Sequence, residues 1–119
     1  MPRKSKEQFL ILFRRHNIAR AKGNFSHPTD VAWWTNAIAG EFGEALAVYL
    51  QICNLSKKMT RGDFNEHTLP NMKLKMAIEL ADVVTYVDLL LDHLGYNMED
   101  VLRHKFNEVS QRVGYKEKL

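Results

Sequence analysis

The chain has 119 residues, 45% of them apolar and 26% charged, with a net charge of +3 and a pI near 9.1. That length bounds one domain with a modest core, and the balance is that of an ordinary soluble globular protein. The most apolar stretch, 76–94, is broken by Glu79, Asp82, Asp88 and Asp92, which excludes a membrane span, and the single Cys53 excludes an internal disulfide and a multi-cysteine zinc site.

The pattern along the chain is helical throughout, without β-like alternation, repeats or low-complexity segments, and predicts an all-α fold. Residues 1–25 read as a basic tail and an N-terminal helix from about Ser5 to Ala21. Phe9, Leu10, Phe13 and Ile18 form its apolar side, and it stops near Gly23. Met1-Pro-Arg-Lys-Ser-Lys6 lacks the apolar segment of a secretory signal, so a cytoplasmic protein is expected. Ser26-His-Pro-Thr-Asp30 is a start signal, with Pro28 in the first turn or Thr29 as N-cap and Asp30 at the positive end of the dipole. The second helix then runs to about Cys53.

Residues 54–70, with Lys57, Lys58, Arg61, Gly62, Asp63 and Asn65, read as a polar loop. The third helix is predicted from Pro70 or Asn71 to Leu94, closed by Gly95. Asn97 is a fresh N-cap, and the last helix spans Met98 to Val113, ending at Gly114. The second and third helices are apolar nearly all round. In so short a chain this predicts a homodimer or homotetramer that covers what four helices cannot.

The basic excess sits largely at the ends, in Arg3, Lys4, Lys6, Lys116 and Lys118. With no helix-turn-helix spacing, zinc framework or aromatic–basic ribonucleoprotein motif, it reads as solvated tails and not as a nucleic-acid surface. A basic surface also suits polyphosphate ligands through long-range attraction.

The chemistry lies in two acidic pairs, Glu41 with Glu44 and Glu79 with Asp82, each three residues apart on one helical turn. At about 100° per residue, Glu41 and Glu44 share a stripe with Trp34, Ala37 and Val48. Asp82 shares one with Tyr86, Leu89 and Leu90, while Thr85, Asp88 and Asp92 group with Ala77 and Ala81 as the natural solvent face. Glu79 lies almost opposite Asp88, so Glu79 and Asp82 are expected to point toward packed structure. One acid of this kind is ordinarily a solvated or salt-bridged residue. Two pairs set in apolar stripes call for a counter-charge, and carboxylate oxygen is the ligand Mg²⁺ prefers where it meets substrate phosphates. Gly40 and Gly43 each cost about 1 kcal/mol against Ala in a helix interior, which implies either close helix packing or room for metal, water and phosphate. The five histidines share no metal spacing, and the Glu-x-x-His motif of di-iron bundles is absent. No Gly-rich phosphate loop or recognisable Ser/His/Asp nucleophile arrangement is present.

At Gly40-Glu-Phe-Gly-Glu-Ala45 and Glu79-Leu-Ala-Asp-Val-Val-Thr-Tyr86 the chain resembles the all-α nucleoside triphosphate pyrophosphohydrolases of the MazG-like superfamily, especially the short phage and bacterial type. Lys105-Phe-Asn-Glu-Val-Ser-Gln-Arg112 is similar to that family's closing helix. The likeness runs from about Trp33 to Gly114. It departs at Gly40, where many relatives carry a further Glu, and in the long polar loop between the motifs.

The resemblance implies a four-helix MazG-like bundle completed by oligomerisation. It also implies hydrolysis of an NTP or dNTP to the monophosphate and pyrophosphate. Glu41, Glu44, Glu79 and Asp82 would hold one or more Mg²⁺, with Mn²⁺ as a substitute, and Glu44 would also act in catalysis by positioning water. Trp34 would stack on the base, with Trp33 as the alternative and core packing as the structural account of either. Lys105 and Arg112 would reach triphosphate oxygens or simply snorkel; Asn107 rests on the family likeness alone, and Lys58 would be a loop contact to phosphate. The narrower alternatives are a dUTP or dCTP hydrolase or a relative of phosphoribosyl-ATP hydrolase. From another class comes a non-catalytic nucleotide-binding helical oligomer, against which the four intact carboxylates argue.

Overall fold

The computed structural model describes residues 6–24, 30–60 and 68–119, and they form four helices and no strand: α1 (Lys6–Asn24), α2 (Val31–Thr60), α3 (Thr68–Leu94) and α4 (Met98–Val113). The all-α expectation holds. Pro28, Thr29 and Arg61 lie outside the described residues, as does the side chain of Lys58 near the end of α2.

Local chemistry explains most boundaries. The capping bond of α2 belongs to Asp30, whose Oδ1 accepts from the N–H of Trp33 at 2.8 Å while its carbonyl accepts from Trp34 at 3.1 Å. α2 continues past Cys53 to Thr60, through much of the segment read as a loop. Leu55, Lys57, Lys58 and Met59 are good helix formers, and no Gly or Pro interrupts them before Gly62. α3 starts at Thr68, which places Pro70 in the first turn, where its missing N–H costs nothing. Gly95, at φ +88°, ends α3: its N–H donates to Asp92 at 3.0 Å and that of Tyr96 donates to Leu91 at 2.9 Å. Asn97 caps α4 by accepting from the N–H of Asp100 at 2.8 Å. Gly114, at φ +78°, closes α4 with its own N–H and that of Tyr115 on the Ser110 carbonyl.

The chain forms two compact units, and α3 contributes to both. One contains α1, the end of α3 from Asp88 onward, and α4. Its buried feature is Asp88, which accepts from Arg14 Nε at 2.9 Å and from Asn17 Nδ2 at 3.2 Å. Arg14 Nη1 lies 3.6 Å from Asp92. This corrects the expected solvent face at Asp88. A carboxylate projected on a helical wheel looks solvated, but α1 supplies the cation and amide that make its burial tolerable.

The other unit, Asp30–Val87, pairs α2 with the greater part of α3. Trp34, Ala45 and Val48 are buried on α2, and Met72, Met76, Val83 and Tyr86 are half-buried on α3. Phe42, Leu46, Tyr49 and Leu50 on α2 remain exposed, as do Leu74, Ile78, Leu80 and Val84 on α3. Among the described residues no helix is long and apolar enough to cross a membrane.

Candidate metal centre

Aromatic packing sets the register between α2 and α3. Trp33 and Trp34 meet edge to face at 4.7 Å between ring centroids, and Tyr86 lies against both, at 6.4 and 6.2 Å. Trp34 is seven residues, two turns, before Glu41; Tyr86 is four after Asp82 and seven after Glu79. The contact that pins Tyr86 to the tryptophans therefore brings the acidic turn of α2 opposite that of α3.

Carboxylate oxygens of Glu41, Glu79 and Asp82 lie within 4.8 Å of one another. Glu41 and Glu79 are half-buried and Asp82 is exposed. Asp82 thus stands on the open side of the cluster, whereas its wheel position suggested packed surroundings. Glu44 is outside this trio, exposed, and hydrogen-bonded to Glu41. The Glu41 carboxyl is pushed above its ordinary value, first by partial burial and then by the charges of Glu44 and Asp82, its hydrogen bond to Glu44 and the charge of Glu79. Glu41 therefore holds its proton more tightly than an isolated glutamate would.

The donor set fits a hard divalent cation. Mg²⁺ takes oxygen ligands at about 2.1 Å in an octahedron, so neighbouring oxygens stand roughly 3.0 Å and opposed ones roughly 4.2 Å apart, and a trio within 4.8 Å would close on the ion by side-chain rotation. Carboxylates alone, without His or Cys, favour Mg²⁺, Mn²⁺ or Ca²⁺ over Zn²⁺. A Cβ built on Gly40 or Gly43 meets nothing within 4 Å, so among the described residues no close approach demands either glycine.

The remaining candidate residues are placed as follows. Trp34 is 5% exposed and packed in the aromatic cluster, while Trp33 beside it keeps more surface. Lys105, Asn107 and Arg112 lie on α4, in the unit without the acids. Lys105 pairs with Glu108 at 2.8 Å and lowers that carboxyl below its ordinary value. Asn107 grips the backbone of Leu119, accepting from its N–H at 2.9 Å and donating to its carbonyl at 3.3 Å. Arg112 is exposed in the last turn. Sequence reasoning missed the organising role of Tyr86, although its spacing from Glu79 was a usable signal. It also missed the Arg14–Asp88 pair, which no local pattern announces. No family model matches the chain, and no curated protein or solved structure matches it either.

Proposed function

We propose that the protein is a nucleoside triphosphate pyrophosphohydrolase, a Mg²⁺-dependent enzyme of the MazG-like type that cleaves between the α and β phosphates of an NTP or dNTP. The observation that carries this reading is the convergence of Glu41, Glu79 and Asp82 from two helices, with oxygens within 4.8 Å. These three would hold the metal. When bound, Mg²⁺ supplies charge neutralisation on phosphate oxygens and acidifies a ligated water. Glu44, beside Glu41 but outside the trio, orients the attacking water and accepts its proton. Trp33, which keeps more surface than the buried Trp34, is the base-facing ring, and Trp34 packs behind it.

The exposed apolar residues of α2 and α3 support assembly into a homodimer or homotetramer that completes the bundle. The decisive assay is pyrophosphate release from a panel of NTPs and dNTPs with Mg²⁺ or Mn²⁺, run on the wild type and on Asp82→Asn. Turnover by the wild type and its loss in the folded variant is the expected result. Millimolar Mg²⁺ should also raise the melting temperature, and Glu79→Gln should abolish that response. Wild-type turnover in Asp82→Asn would refute the mechanism; nucleotide binding without pyrophosphate release would favour the non-catalytic oligomer. Sedimentation as a monomer at micromolar concentration would refute the assembly.

A further inference from the structure

The three carboxylates that converge from α2 and α3 carry like charge, so they do not hold themselves together. On this face the two helices are drawn together by Tyr86, whose ring lies against Trp33 and Trp34 at 6.4 and 6.2 Å between centroids. Trp34 is 5% exposed and gives that ring a fixed seat. From this contact the way to the acids is the same on both helices: seven residues forward from Trp34 to Glu41, seven back from Tyr86 to Glu79. At 1.5 Å per residue each arm is about 10.5 Å long, so the two reach the acidic cluster at one level. Seven residues is also close to two whole turns, and each arm ends near the face on which it began. Asp82, four residues from Tyr86, stands on the same side of α3, one turn nearer the ring.

The hard cations that suit a carboxylate set differ in what they ask of such a frame. Mg²⁺ demands a near-ideal octahedron at about 2.1 Å, whereas Ca²⁺ accepts about six to eight oxygens at about 2.3–2.6 Å in flexible geometry. A frame that fixes the approach of α2 to α3 therefore serves the stricter ion, and a loosened frame forfeits that ion first. Resting on the metal reading above, we propose that Tyr86 is a positioning residue whose ring, by fixing that approach one arm away from the acids, sets the selection of Mg²⁺ over Ca²⁺ by Glu41, Glu79 and Asp82. The role belongs to the ring and not to the hydroxyl.

Calorimetric titration of the full chain with Mg²⁺ alone and with Ca²⁺ alone, well below the melting temperature, reads the effect without nucleotide. Tyr86→Leu should lose about tenfold or more in Mg²⁺ affinity, as loss of a residue supporting metal ligands does, and less than about threefold in Ca²⁺ affinity. Tyr86→Phe keeps the ring and should hold both affinities within about twofold. Trp33→Leu removes one of the two rings against Tyr86 and leaves the buried Trp34. It should shift the ratio in the same direction and serves as the second variant if Tyr86→Leu folds poorly. A wild type that binds neither cation, or Glu79→Gln that binds as the wild type does, would refute the metal reading and the inference with it. Wild-type binding through Glu79 with an unchanged Mg²⁺-to-Ca²⁺ ratio in the folded Leu variants would overturn the inference alone, and so would equal loss of both ions, the mark of a merely structural ring. A loss in Tyr86→Phe as large as in Tyr86→Leu would overturn it too, by moving the role to the hydroxyl.

Discussion

Replacing Arg14 by Leu tests the reading of Asp88 most directly. The two side chains are 17% and 3% exposed and meet at 2.9 Å, so little solvent screens them. Without the guanidinium the carboxylate keeps only the Asn17 amide, an incomplete answer to a buried charge. Breaking a buried pair from one side costs about 3–5 kcal/mol. Asp88→Leu should cost toward the lower end of that range, because Arg14 is the more exposed partner and retains Asp92 at 3.6 Å. The double variant Arg14→Leu/Asp88→Leu should recover most of the loss, since no uncompensated charge then remains. Against a total stability of about 5–15 kcal/mol, the single change is severe and should lower the melting temperature by roughly 10–20 °C. Urea unfolding followed by circular dichroism at neutral pH measures all three variants, with urea chosen because it adds no ions. A loss under about 1 kcal/mol in Arg14→Leu, or a double variant as damaged as the two singles summed, would refute the argument.

Three further outcomes are expected. Because the folded state raises the Glu41 carboxyl above its ordinary 4.5, metal-free stability should be greatest below that value and fall as pH rises through the raised one; Glu41→Gln should flatten this slope, and identical urea midpoints against pH for both proteins would contradict it. Trp34→Ala should cost about 3–5 kcal/mol in chemical unfolding, as a cavity in the aromatic cluster requires, whereas a loss below 1 kcal/mol would show that the ring is not core. Thermal melts should show Gly43→Ala stabilising by up to about 1 kcal/mol in open space, and Gly114→Ala destabilising by about 1–2 kcal/mol at its positive φ; the opposite order would refute both assignments.

The parts legible in the sequence are those whose causes are local. Asn97 and Gly114 mark α4 at both ends because a cap is made within a few residues of itself. The pairing of Glu41 with Glu44 and of Glu79 with Asp82 follows from one helical turn. Their convergence does not, because it depends on Tyr86 meeting Trp33 and Trp34 from another helix. Asp88 misled for the same reason: a helical projection shows which residues share a face, but the residue that buries this one lies 74 positions away. The end of α2 was obscured by chemistry of a different kind. Lys57 and Lys58 are equally at home in a solvated helix and in a polar loop, so composition could not choose.

The corner between α3 and α4 has a consequence for the rate at which this protein folds. Gly95, Tyr96 and Asn97 carry a complete helix stop and a complete helix start, and every bond there spans five residues or fewer. Closing so short a segment costs little chain entropy, so the corner forms early and independently of distant elements. The Arg14–Asp88 bond must wait for its two strands of sequence to find each other. Stopped-flow kinetics should therefore divide the two sites: Asn97→Ala should slow folding and leave unfolding nearly unchanged, while Asp88→Leu should chiefly accelerate unfolding.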